Sequence, residues 1–127
     1  MRYLLTLYTD ESLNEATTPD DLKSLMDEYT ALTREWLDKG LMLSGEGLDP
    51  SGAAITVRKR GEKRLITDGP FAESKEQLGG YYVLDCGSID EAIELAARIP
   101  AARRGGVEVR PVMNYEAMGA EPPVWRS

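Results

Sequence analysis

Histidine is absent from the 127 residues, and cysteine and phenylalanine occur once each. Without histidine the chain lacks the usual general base at neutral pH and the commonest metal ligand. It also lacks any Ser-His or Cys-His nucleophile pair. The single Cys86 excludes a disulfide within the chain, which is the pattern of a reducing compartment. Basic charge is short as well: 15 Lys and Arg stand against 22 Asp and Glu, for a net −7. A nucleic-acid binder needs a basic face, so no nucleic-acid partner is expected. The local cluster Arg58, Lys59, Arg60, Lys63 and Arg64, interrupted by Glu62, reads as a solvated hairpin tip. Long apolar runs are missing too. The opening "MRYLLTLYTDES" meets Asp10 and Glu11 before it forms a signal-peptide pattern or a membrane-spanning length. The expectations are a cytoplasmic protein, no membrane partner and no cofactor. The length suits one domain whose core needs neither metal nor disulfide.

What is present alternates between strand and helix signals. Arg2–Tyr8 is rich in aromatic and aliphatic residues and predicts a strand. "TTPDDL" predicts a helix start, with Thr18 as N-cap, Pro19 at the first helical position and Asp20 and Asp21 at the positive end. Leu22, Leu25, Met26, Tyr29, Leu32, Trp36 and Leu37 follow at three- and four-residue steps, which predicts one apolar stripe. Lys39 and Gly40 close it. Leu41–Leu48 predicts a second strand. Ala53–Arg58 and Arg64–Thr67 predict a hairpin around Lys59–Lys63, with Gly61 in the turn. Tyr81–Cys86 predicts the strongest strand. Ser88 and Glu91 form a capping box for a second helix that must stop near Ile99-Pro100. Val107–Val112 predicts a last strand, and Pro111 assigns it to an edge or terminus. With the Ala53–Thr67 hairpin set aside, the order is βαββαβ. That is the ferredoxin-like α+β arrangement, an antiparallel sheet with both helices on one face.

Two helices leave the other face of such a sheet bare, yet these strands are apolar on both sides. Tyr81 and Val83 point one way and Tyr82 and Leu84 the other; Tyr3, Leu5 and Leu7 oppose Leu4 and Tyr8. A sheet with one wet face alternates apolar with polar. A second copy is the simplest cover, because closed two-fold dimers are the commonest homo-oligomers. A homodimer is therefore expected.

Between two predicted strands lies Thr67–Gly80, "TDGPFAESKEQLGG". Asp68-Gly69-Pro70 is turn chemistry. Ser74 with "SKEQ" predicts about one helical turn, and Gly79-Gly80 a bulge or a close backbone approach. Phe71, the only phenylalanine, is expected to insert into the core or the dimer seam. The stretch "TDGPFAESKEQLGGYYVLD" resembles the signature of the DGPF group of the YCII-related family, and "SGEGLDPSGAAITVR" and "GGVEVRPV" resemble its flanking blocks. The resemblance covers about residues 1–113, leaving 114–127, with its Pro-Pro and Trp125, as a tail that is disordered or packs across a partner. It implies a dimeric α/β barrel in which two ferredoxin-like sheets pack face to face. Members of that family are often encoded beside extracytoplasmic-function sigma factors and share no established reaction, so the resemblance also implies a regulatory partner of that type as an alternative. The His-Asp pair proposed as catalytic in better-known members has no counterpart here.

Three functions follow as alternatives. In the first, the protein binds a small molecule, with Arg58, Asp68, Phe71, Glu73 and Tyr82 at the pocket wall. In the second, Asp68 or Glu73 serves as the acid or base of a histidine-independent enzyme. In the third, the protein acts on a regulatory partner of the sigma-factor type. Asp68, Glu73, Glu76 and Glu46 would hold a hard cation if they converged, but their spacing matches no known metal loop and favours capping and ion pairing. Arg58 and Arg110 suit a carboxylate or phosphate ligand, or equally a structural pair with Asp68 or Glu108. Tyr81 and Tyr82 read as packing, Cys86 as an inert buried thiol and Ser44 as a serine without an activating base.

Overall fold

The computed structural model describes residues 1–123; the expectation for Trp125 lies outside the described residues. The elements are β1 (Arg2–Asp10), α1 (Pro19–Asp38), β2 (Met42–Gly47), β3 (Ile55–Arg60), β4 (Lys63–Asp68), β5 (Glu76–Asp85), α2 (Ile89–Ala97), the short α3 (Ala101–Arg104) and β6 (Gly105–Pro111). Strands β2, β5, β1 and β6 form one sheet in that order, with every neighbouring pair antiparallel. This is the ferredoxin-like α+β topology, with β3 and β4 inserted as a separate two-stranded sheet, the arm.

Alternation along the strands creates the two layers. Tyr3, Leu5 and Leu7 of β1 and Tyr82 and Leu84 of β5 are buried beneath the helices, against Leu32, Trp36, Ala92, Ala96 and Ile99. Their neighbours Leu4, Thr6, Tyr8, Tyr81 and Val83 are half-buried on the opposite face, onto which none of the described helices packs. Burial of each large side chain in the core contributes about 1.5–3 kcal/mol.

The helix ends follow the local sequence. Thr18 Oγ1 accepts from the Asp21 amide at 3.1 Å, and Pro19 opens α1. At the other end Gly40 takes φ +70, while its amide and that of Leu41 donate to the Leu37 and Trp36 carbonyls. That pair of bonds is a Schellman closure. Ser88 Oγ caps α2 at the Glu91 amide, and the Glu91 carboxylate accepts from Gly87 N.

Three expectations need correction. The stripe of α1 is not buried throughout: the helix packs by its second half through Leu32 and Trp36, while Leu22, Met26 and Leu37 are 51%, 54% and 55% exposed. The arm strands lie closer to the turn than predicted: β3 is shifted to Ile55–Arg60 and β4 extended to Lys63–Asp68, around the two-residue loop Gly61-Glu62. Gly61 has φ +60 and Glu62 a negative φ, the geometry of a tight hairpin turn that follows the strand twist. Finally, "SKEQ" makes no helical turn. β5 begins at Glu76 because β1 extends to Asp10 and pairs with it there, and sheet hydrogen bonds replace the single turn. Gly79 is the extra residue where the register slips between Leu7 and Tyr8. At Gly80 an added Cβ would lie 2.9 Å from the Glu46 carbonyl oxygen, so the close approach predicted for the glycine pair is present.

Candidate functional site

The arm leaves the body at one end of the sheet, where two sets of hydrogen bonds fix its base. Glu11, just after β1, accepts from the Ser51 amide and hydroxyl at 2.6 Å each and so pins the loop between β2 and the arm. Across the arm, the Gly69 amide donates to the Ala54 carbonyl at 2.7 Å and Thr56 Oγ1 donates to the Gly69 carbonyl at 2.9 Å. Gly69 adopts φ +105, a conformation that side chains with a Cβ rarely take. The Asp-Gly-Pro turn therefore reverses the chain at the arm base and projects Phe71.

Between that base and the sheet lies a cavity of about 1060 Å³. Tyr8, Leu48, Pro50, Pro70, Phe71 and Leu78 give it an apolar lining. Asp49, Glu76 and Glu108 supply its acidic edge, and Ser74 and Gln77 its other polar groups. Gln77 Nε2 donates to the Ala72 and Ser74 carbonyls at 3.0 and 2.8 Å, holding the segment after Phe71 in a tight coil. Tyr8 and Glu108 belong by alternation to the uncovered face, so the cavity opens at the rim of that face.

A smaller cavity of about 670 Å³ lies between α1 and the β2–β5 edge, lined in part by Tyr29, Thr33, Arg34, Glu46 and Tyr82. The Thr33 and Tyr82 hydroxyls are 3.3 Å apart. Burial pushes the Tyr29 phenol above its ordinary range, with a smaller contribution from Tyr82.

The predicted site residues distribute over these features. Phe71 lines the large cavity and is 75% exposed; it stands at the rim and not in the core. Arg58 lies with its guanidinium carbon 4.8 Å from the centre of the Phe71 ring. Asp68 ends β4 opposite Ile55, and both Asp68 and Glu73 are exposed and outside the cavity wall. Tyr82 is on the helix side of the sheet, edge-on to Trp36 at 5.1 Å. The structure thus brings Arg58 and Phe71 together and separates Tyr82 from them. Glu46 lines the other cavity, and among the described residues no three of Cys, Asp and Glu are placed to hold a metal ion. Arg110 is paired with Glu108, the structural alternative for that arginine. Cys86 is buried and free; burial raises its thiol first, and the nearby Glu91 and Asp85 add to the shift. Among the described residues no helix is long and apolar enough to cross a membrane.

Sequence reasoning missed Tyr8, Leu48, Pro50 and Leu78 as cavity residues. Tyr8 carried a signal, an aromatic on the second face of a two-sided strand. Leu48 and Pro50 flank the Glu11–Ser51 clip, for which a carboxylate forty residues from its serine gives no warning, and Leu78 is placed by its pairing with Tyr8.

The profile of the YCII-related domain matches residues 1–116. The chain belongs to the YCII-related family. An uncharacterised protein of Rhizobium meliloti (strain 1021) is similar to it, 36% identical over 118 residues, spanning 91% of this YCII-related chain and 95% of the other. Among solved structures, the 5-chloro-2-hydroxyhydroquinone dehydrochlorinase of Burkholderia phenoliruptrix, in complex with 2,5-dihydroxybenzoquinone, is similar over 92% of this chain and 98% of that one. The identity is 16% and the TM-score 0.45.

Proposed function

We propose that this YCII-related protein is a homodimer that binds a small, largely apolar molecule in the cavity beneath the DGPF segment. The observation that carries the reading is Phe71, an aromatic ring 75% exposed at the mouth of an apolar cavity of about 1060 Å³. Ligand pockets are typically concave, mostly apolar and about 300–1,000 Å³ in volume. Glu108 is paired with Arg110, but the carboxylates of Asp49 and Glu76 at the cavity edge form no ion pair among the described residues; they repel anions, so the ligand class is neutral or cationic.

Exposed area supports the dimer. A compact monomer of 14.0 kDa exposes about 6,700 Å², whereas this chain exposes 9122 Å². The surplus of about 2,400 Å² exceeds the roughly 800 Å² per partner that a standard interface buries. The uncovered sheet face is the natural seam, and pairing through it gives the face-to-face barrel and sets the cavity beside the partner. A cytoplasmic location belongs to the same reading, supported by a thiol left free.

The acid–base alternative draws no support from placement, because Asp68 and Glu73 lie outside the cavity wall. A regulatory role toward a basic partner of the sigma-factor type is the second reading, favoured by the net charge of −7.

The test is titration with the neutral fluorophore N-phenyl-1-naphthylamine. Saturable enhancement near one probe per chain, weakened at least about tenfold by Phe71→Ala, is expected. The absence of a saturable signal, or equal binding to Phe71→Ala, overturns the reading.

A further inference from the structure

The arm is built unlike the rest of the molecule. Among the described residues its two strands pair only with each other, and an isolated two-stranded ribbon is marginal in water without a surface to pack on. The register puts Ile55, Val57 and Ile66 on one side, Val57 directly opposite Ile66. All three are open to solvent, at 63%, 64% and 59%. The reverse side is partly covered from within: Thr56 and Arg58 are half-buried there, and Phe71 folds back beneath Arg58. Leu65 on that reverse side is 45% exposed, so the Ile55–Val57–Ile66 side is the more open of the two and holds the larger exposed apolar group among the described residues.

Charge singles out what covers it. Of the chain's 15 Lys and Arg, five lie between Arg58 and Arg64, with Glu62 the only acid among them. The tip therefore carries +4 and the remainder of the chain, with 10 bases and 21 acids, carries −11. None of the five forms an ion pair with an acid of its own chain among the described residues. A basic, apolar-faced arm on an acidic body is complementary to another copy of the same body.

We propose that the β3–β4 arm is a clasp, which lays its Ile55–Val57–Ile66 face on a second copy of this chain while its basic tip meets that copy's acidic surface. The inference rests on the homodimer reading and adds a second contact to the sheet-to-sheet seam. It accounts for part of the surplus exposed area. It also ties assembly to the site, since the arm and the Phe71 rim of the cavity share the Ala54–Gly69 and Thr56–Gly69 hydrogen bonds at their base.

The test compares the full-length wild type with Val57→Lys/Ile66→Lys by sedimentation equilibrium. Both side chains are exposed, so the variant is expected to keep its circular dichroism spectrum. A photo-crosslinking amino acid at position 57 gives a second readout. A wild-type dimer whose dissociation constant rises at least about tenfold in the double variant, with a covalent dimer on illumination, is the expected result. A wild-type dimer that the double variant leaves unchanged and that gives no inter-chain crosslink overturns the clasp and leaves the homodimer standing. A monomeric wild type overturns both. Crosslinking of position 57 to added nucleic acid, with no covalent dimer, also overturns the clasp.

Discussion

The guanidinium of Arg58 stacks on the ring of Phe71, 4.8 Å from its centre, and joins the arm to the DGPF segment thirteen residues later. An exposed cation–π contact contributes about 0.5–1 kcal/mol. Arg58→Ala is therefore expected to lower stability by no more than that, while it frees the ring and weakens binding of the naphthylamine probe. A parallel urea denaturation and probe titration checks both. A loss of several kcal/mol would mean that Arg58 carries the fold and not the rim.

At Gly105 an added Cβ would lie 2.0 Å from the Tyr8 carbonyl oxygen and 3.0 Å from the Thr9 Cα. Both are backbone atoms of the central β1 and cannot rotate away. Gly105→Ala is expected to cost about 1–3 kcal/mol or more through overpacking, whereas Gly106→Ala, with nothing within 4 Å, lacks that clash. Thermal melting of the two variants at one protein concentration separates them.

The Arg98 guanidinium grips Glu35 through two hydrogen bonds of 2.5 and 2.7 Å, joining the end of α2 to α1. That contact, with help from Lys39, holds the Glu35 carboxyl at about 2, below its ordinary 4.5. A depressed folded-state value means the contribution is present above about 4.5 and is lost as pH falls toward about 2. Glu35→Gln is expected to melt below the wild type at pH 6, and the gap is expected to close as pH approaches 2. A gap that stays constant across that range would contradict the assignment.

Trp36 is 0% exposed, packs edge-on against Tyr82 and has no acceptor for its indole N–H among the described residues. Trp36→Ala is expected to cost about 3–5 kcal/mol by opening a cavity. Trp36→Phe removes an unpaired buried donor together with some volume, so its cost is expected to be the smaller of the two. Urea midpoints of both variants test the order.

Much of the fold was legible because the signals were local and redundant. Thr18-Pro19 and Lys39-Gly40 bracket α1 by capping chemistry, and Tyr81–Leu84 declares a strand apolar on both faces. The strand order then follows from the βαββαβ sequence of elements. The misreadings arose where tertiary pairing outweighs local preference. "SKEQ" has the composition of a helix start, but β1 runs on to Asp10 and claims Glu76–Leu78 as its partner. The apolar periodicity of α1 continues over its first turns, although only Leu32 and Trp36 are fully packed. The site was legible in part. Phe71 and Arg58 lie within one arm and its return segment, so proximity in sequence becomes proximity in space. Tyr82 does not join them, and a run of two tyrosines gives no sign of which ring faces the helices. Register decides that, and it places Tyr82 beside Leu5 and Tyr81 beside Thr6.

Sedimentation equilibrium of the wild-type protein at micromolar concentration is the most direct measure of the central claim, that a second copy hides the sheet face carrying Leu4, Tyr8, Tyr81 and Val83. The expected mass is twice the 14.0 kDa of the chain, falling toward that value when Tyr81 or Val83 is replaced by lysine. A wild type that sediments at 14.0 kDa across the micromolar range would contradict it.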